Sequence, residues 1–158
     1  MELRTKARRL QAESGLDLII VDYLQLMQGS ASNKDANRVQ EVAEISRGLK
    51  ALARELQVPV ISLSQLSRQA EMRESREPRL SDLRESGSIE QDADLVMFLW
   101  REKERGPDEA ESDGEIVKLK LAKHRNGPTG EATLWFKKRQ TRFVSAAEEG
   151  RYTAGTYN

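Results

Sequence analysis

Four places along the sequence set a residue type where phosphate chemistry can use it. In "LDLIIVDYLQLM" an apolar run stops abruptly at Asp22. A carboxylate at a strand's end offers a hard oxygen that suits Mg²⁺ held through water beside a nucleotide phosphate. It equally suits an acid that caps the next turn or pairs with a lysine. Gln65 repeats the position at the end of "VPVISLSQ". Its neutral amide can hydrogen-bond a terminal phosphate or an attacking water without adding charge, or simply satisfy loop backbone. Lys123 and Arg125 stand two apart before "NGPTG", so they share a face ahead of a turn. Such a pair is either solvated or reaches a phosphate on a neighbouring subunit, a task that suits arginine's planar fork. Finally, "RESG" puts Arg84, Glu85 and Gly87 within four residues. That is too little charge for a nonspecific electrostatic patch. It suits close contact with a phosphate backbone: Arg84 as donor, Glu85 orienting Arg84 or the loop, and Gly87 for close approach or a positive φ. A solvated turn ahead of a capped helix fits the same residues.

Positioning these groups needs a scaffold, and 158 residues are enough for one domain with a real core. Lys plus Arg number 26 and so do Asp plus Glu, so overall charge points to no partner class. The local balance is uneven: acidic from Glu102 to Asp113, basic from Glu115 to Arg142. With no cysteine and a single histidine, His124, disulfide frameworks and thiolate or multi-histidine metal sites are excluded. No run approaches the length of a membrane span, which makes a soluble cytoplasmic protein the expectation.

Periodicity supplies the elements. Residues 2–14 read as a helix with Leu3, Ala7 and Leu10 on one stripe and Gly15 as its stop. Residues 16–22 read as a strand covered on both faces. A polar loop over 28–37 leads to an amphipathic helix over 38–57, with Val39, Val42, Ile45, Leu49, Leu52 and Leu56 on its apolar stripe. A second buried strand follows Pro59, and 94–100 reads as a third. Between them, 66–87 is polar and irregular, and Ser88 with Gln91 forms a capping box for a short helix. Alternation from Ile116 to Leu121, the turn "NGPTG" and the returning "EATLWF" make a hairpin, and "RFVS" adds an edge strand. The expected fold is α/β, with parallel strands joined by helices and a C-terminal β-hairpin extension. Ligands of such sheets bind at the carboxyl ends of the strands, where Asp22 and Gln65 sit.

"LIIVDYLQLM", "RGLKALARELQVPVISLSQLSR", "PRLSDLRESGSIEQDADLVMFLWR" and "KHRNGPTGEATLWF" together resemble successive motifs of the DnaB-type replicative DNA helicases, over about residues 3 to 151. The resemblance implies a partial RecA-like P-loop ATPase sheet, with residues 1–151 as the C-terminal part of the motor domain and 152–158 as a flexible tail. It implies ATP and Mg²⁺ as cofactors. Asp22 then matches the Walker B aspartate holding Mg²⁺ through water, and Gln65 the sensor of the terminal phosphate. Arg84, Glu85 and Gly87 match the loop that meets single-stranded DNA. Lys123 and Arg125 match the pair that enters the next subunit's site, Arg125 being the arginine finger. The implied partners are identical subunits in a hexameric ring, a primase and a helicase loader.

The sequence also departs from that pattern. No G-x-x-x-x-G-K-[ST] occurs in it, so nothing here cradles the α- and β-phosphates. The resemblance places the P-loop, the catalytic glutamate and the N-terminal collar before Met1, and the P-loop strand between those at 60–64 and 95–99. The chain alone is therefore expected not to hydrolyse ATP. Two other readings stand beside the helicase: another RecA-like ATPase, against which "RESG" argues, and a non-enzymatic remnant that binds DNA or joins a ring.

Overall fold

The structure, a computed structural model, describes residues 2–28, 38–67, 70, 72–73, 76–83, 87–101 and 113–146. Arg84, Glu85, the acidic stretch 102–112 and the expected tail 152–158 lie outside the described residues. The chain divides into two compact units, Met1–Ser67 with Leu80–Ala93, and Arg68–Arg79 with Asp94–Asn158.

The first unit is built on two helices. Helix α1 runs Glu2–Ser14 and stops where the periodicity places its end. Gly15 takes a φ of +80° and donates its N–H to the Gln11 carbonyl at 3.1 Å, a left-handed cap that suits glycine. Helix α2, Arg38–Leu56, buries Val42, Ile45, Leu49, Leu52 and Leu56 at three- and four-residue steps. Val39, in its first turn, belongs to the expected stripe yet stays exposed. Ala7 of α1 meets Leu52, Leu56, Val58 and Ile19 in one apolar cluster. Leu10, also expected inside, remains exposed. Around that cluster, Glu55 of α2 accepts hydrogen bonds from Arg4 at 2.6 Å and from Arg8. The Arg8 hydrogen bond, with help from Arg4, holds the Glu55 carboxyl below its ordinary range.

Strand β1, Ile19–Val21, pairs in parallel with β2, Val60–Ser62, in the register Ile19↔Val60, Ile20↔Ile61, Val21↔Ser62. Neither is covered on both faces, contrary to the apolar run's promise. Ile19 is 8% exposed and packs on the helices, whereas Ile20 is 62% exposed. The helices of this unit shield one face, and the other carries Leu18, Ile20, Ile61 and Leu63 in the open. Helix α3, Gly87–Asp92, packs on α2 through buried Ile89. The expected capping box does not form. Ser88 lies inside the helix rather than before it, and among the described residues its buried hydroxyl has no hydrogen-bond partner.

The second unit is an antiparallel sheet in the order β3-β4-β5-β6: Leu95–Trp100, Gly114–His124, Gly130–Lys137 and Arg142–Ser145. The hairpin and the edge strand thus sit where alternation puts them. In β3, Val96 and Phe98 are buried while Leu95, Met97 and Leu99 are exposed, again one covered face where two were expected. The rings of Phe136 and Phe143 stand opposite one another, with centroids 4.7 Å apart, and pin β6 to β5.

Among the described residues β2 and β3 each keep one unpaired edge, and both carry exposed apolar side chains. Edges of this kind recruit strands from other chains. The isolated chain is expected to self-associate as its concentration rises. Sedimentation velocity checks this, and a monomer that unfolds cooperatively at high concentration would count against it.

Candidate functional site

In the first unit the ends of β1 and β2 are locked together beyond their last ladder pair. The Leu63 amide donates to the Val21 carbonyl at 2.9 Å, and the Leu24 amide donates to the Leu63 carbonyl at 2.9 Å. β1 then turns into a 3₁₀ helix, Leu24–Leu26, through a cis Asp22–Tyr23 peptide. Asp22 and Gln65 thus lie at the carboxyl ends of adjacent parallel strands, Asp22 directly after Val21 and Gln65 three residues after Ser62. Both side chains are exposed, and among the described residues nothing engages the Asp22 carboxylate or the Gln65 side-chain amide.

One contact there carries no signal in the sequence. Gln25 extends its side chain across the strand ends. Its Nε2 donates to Ser64 Oγ at 3.0 Å, and its Oε1 accepts from the Gln65 amide at 3.3 Å. Arg38, at the start of α2, donates to the Gln25 carbonyl at 2.7 Å and pairs with Glu41.

A lone exposed carboxylate at a strand's end fits a metal held through water. Magnesium keeps several waters and takes its other oxygens from phosphates. Among the described residues no group of three or more acids or histidines could hold a metal directly. The donor set therefore suits Mg²⁺ carried by a nucleotide rather than a protein cage.

The second unit holds the cationic pair. Lys123 lies on β4 opposite Val96, and Arg125 opens the turn after it. Arg125 is fixed twice by Asp94, just before β3. Its amide donates to the Asp94 carbonyl at 2.8 Å, and its Nε donates to Asp94 Oδ1 at 2.8 Å. Asp94 is a further residue that spacing alone does not reveal. In the turn, a Cβ on Gly127 would run into the His124 ring, so a side chain there would displace the ring from its present seat. His124 Nδ1 also lies 3.1 Å from the Pro128 carbonyl.

The basic stretch from Glu115 to Arg142 is largely paired within the sheet. Lys120 is held by Glu77 and Glu131, and the Glu77 hydrogen bond raises its pKa above the ordinary lysine value. Lys118 donates to Thr133 Oγ1 at 3.2 Å, Arg101 pairs with Glu115 at 3.1 Å, and Arg139 with Asp113 at 2.9 Å. These cations are ion-paired or hydrogen-bonded rather than bare.

Of the "RESG" loop, Arg84 and Glu85 lie outside the described residues. Gly87 is the first residue of α3, and its φ is not positive, contrary to one of the two uses foreseen for it. A Cβ there would meet nothing within 4 Å, so the space for a close approach is present.

The family model of the DnaB-like helicase C-terminal domain matches residues 1–145. The chain is 56% identical over 144 residues to the replicative DNA helicase DnaC of Bacillus subtilis and, equally, to the replicative DNA helicase DnaB of Geobacillus stearothermophilus. Each alignment covers 91% of this chain and 31% of the relative, so the chain spans about a third of their length. A solved DnaB-like replicative helicase, described with its interactions with primase, superposes with a TM-score of 0.77 at 44% identity over 90% of this chain and 33% of its own. A second solved chain, an ATPase domain, gives the same TM-score and identity over 90% of this chain and 50% of its own.

Proposed function

The chain belongs to the family of DnaB-like helicase C-terminal domains, and from that membership we propose that residues 1–151 are the C-terminal part of the motor domain of a replicative DNA helicase. The complete protein is a hexameric ring of identical subunits in the cytoplasm. It couples ATP hydrolysis to 5′–3′ movement on single-stranded DNA and so separates the duplex. The observation that carries this reading is the placement of Asp22 and Gln65 at the ends of two adjacent parallel strands, where α/β sheets take their ligands.

Each residue then has a task. Asp22 holds Mg²⁺ through water, and the metal neutralises charge on the transferred phosphoryl group. Gln65 hydrogen-bonds the terminal phosphate or the attacking water, and signals its presence toward DNA. Arg125, with Lys123 beside it, enters the neighbouring subunit's site and stabilises the charge that develops there. Arg84, Glu85 and Gly87 meet the single strand. The motor reading needs a phosphate cradle that these 158 residues do not contain. A primase partner is supported by the similar helicase described with primase, and a helicase loader by the family alone. Among the described residues no helix is long and apolar enough to cross a membrane.

The test is a chimaeric helicase in which residues 1–145 replace the matching segment of a relative. It is expected to unwind a forked duplex in an ATP-dependent manner. The Arg84→Ala variant is expected to bind single strands of every sequence more weakly, because phosphate contacts carry no base information. Losing one such contact lowers the slope of log K against log salt by about 0.7. Unwinding should suffer more than DNA-independent ATP turnover. Unchanged affinity across the salt titration, with the ring intact, would return "RESG" to a structural role. A ring that assembles but neither hydrolyses ATP nor unwinds would leave the non-enzymatic remnant as the better reading.

A further inference from the structure

We propose that Gln25 is a positioning residue, whose side-chain amide ties Gln65 to the strand end that carries Asp22. The proposal rests on the sensing role given to Gln65.

The geometry is that of a ladder continued by other means. Up to Leu24 the two strand ends are joined by main-chain hydrogen bonds, from Leu63 N–H to the Val21 carbonyl and from Leu24 N–H to the Leu63 carbonyl. After Leu24 the backbone of β1 curls into the 3₁₀ helix, where the Leu26 and Met27 amides donate within the turn, and among the described residues it makes no further main-chain bond to β2. The Gln25 carboxamide takes over. It has one acceptor oxygen and a donor nitrogen, as a peptide group does. The oxygen receives the Gln65 N–H at 3.3 Å, and the nitrogen donates to Ser64 Oγ at 3.0 Å. Both polar ends of one side chain thus fall on consecutive residues of the β2 end. The Gln65 backbone is held while the Gln65 side chain stays exposed for a ligand.

Gln25 is itself held from behind. Arg38 donates to its carbonyl at 2.7 Å and to the Met27 carbonyl at 3.5 Å, and Glu41 steadies the guanidinium. A continuous set of hydrogen bonds therefore runs from the start of α2, through the turn after Asp22, to the backbone of Gln65. Two groups meant to act on one nucleotide need a fixed mutual geometry, and small displacements in such sites are costly. Asp22 and Gln65 lie more than forty residues apart in sequence, and the Gln25 side chain spans their two loops. It touches neither nucleotide nor metal in this scheme and acts through Gln65.

The experiment uses the chimaeric helicase and reads the ratio of DNA-stimulated to basal ATP turnover. Three variants are compared: Gln65→Ala, Gln25→Met and Gln25→Glu. Methionine matches the length of glutamine and makes neither hydrogen bond. Glutamate keeps an acceptor for the Gln65 N–H, and the Ser64 hydroxyl can donate to it in return. Gln25→Met is expected to lower the ratio by about tenfold, the rate equivalent of one to two lost hydrogen bonds. Gln25→Glu should retain most of the ratio. The double variant Gln25→Met with Gln65→Ala should be no worse than Gln65→Ala alone, since both act through one group. An unchanged ratio in Gln65→Ala overturns the sensing role and this proposal with it. A lowered ratio in Gln65→Ala beside an unchanged one in Gln25→Met overturns this proposal alone. Equal losses in Gln25→Met and Gln25→Glu also overturn it, because they would reflect packing rather than the two hydrogen bonds. If Gln25→Met does not assemble into rings, Ser64→Ala carries the test by removing one anchor. A smaller fall in the ratio supports the proposal, and none overturns it.

Discussion

Arg125→Ala in the chimaeric helicase is expected to slow ATP turnover by about 10³–10⁵, the range over which arginine fingers act in phosphoryl transfer. Nucleotide binding should stay mostly intact, because the guanidinium is needed where charge develops and not where the ground state is gripped. A turnover measurement beside a titration with a fluorescent nucleotide separates the two. Arg125→Lys should recover little of the loss. Lysine keeps the charge but lacks both the planar fork and the Nε that donates to Asp94. The cross-subunit role has its own check. Rings mixed from Arg125→Ala and Asp22→Ala subunits contain some interfaces with both functions whole. Activity recovered at intermediate mixing ratios supports action in trans, and none at any ratio argues against it.

Asp22→Ala should be nearly as severe, lowering turnover by about 10³. That corresponds to losing the several kcal/mol a well-placed metal contributes to transition-state charge. The defect should show in the metal dependence. More Mg²⁺ is needed for half-maximal turnover, since the ion is then held by the phosphates and other groups without this carboxylate. The fold should tolerate the change, because Asp22 is exposed and no described residue binds its carboxylate. Normal turnover with an unaltered magnesium requirement would remove Asp22 from the site.

Local patterns made much of this architecture readable. Helix α2 falls within a residue of its expected span because six apolar residues repeat at helical steps, and only Val39 strays, in the first turn. Gly15 ends α1 because its positive φ is a local property of that residue. The strands were harder. "LIIV" is apolar throughout, which suggests two covered faces, yet pairing is confined to Ile19–Val21 and Leu18 and Ile20 point outward. An apolar run records what a strand is able to bury, not what the described part of the fold covers. Asp22, Gln65 and Arg125 could be singled out because their residue types and strand-end positions already suggest phosphate chemistry. Gln25 and Asp94 could not. Their partners lie 39 and 31 residues away, and neither residue is unusual in its own neighbourhood. Ser88 misled for the opposite reason. Its spacing from Gln91 is right for a capping box, but the helix begins at Gly87, two residues too early for Ser88 to cap it.

The double hold of Asp94 on Arg125 also has an entropic side. A long arginine side chain carries about 2 kcal/mol of rotamer freedom. Here part of that freedom is removed when the chain folds, by the Nε bond to Asp94, while the main-chain bond to the same residue fixes the backbone that carries the side chain. An unrestrained arginine gives up all of it on meeting an anion, and its apparent affinity falls accordingly. Arg125 has less left to lose, so more of its attraction for the charge that develops on a phosphate survives as stabilisation. Any partner must still compete with the Asp94 carboxylate for the same guanidinium. The tether thus limits how many conformations the side chain has to search, as well as fixing where the search begins.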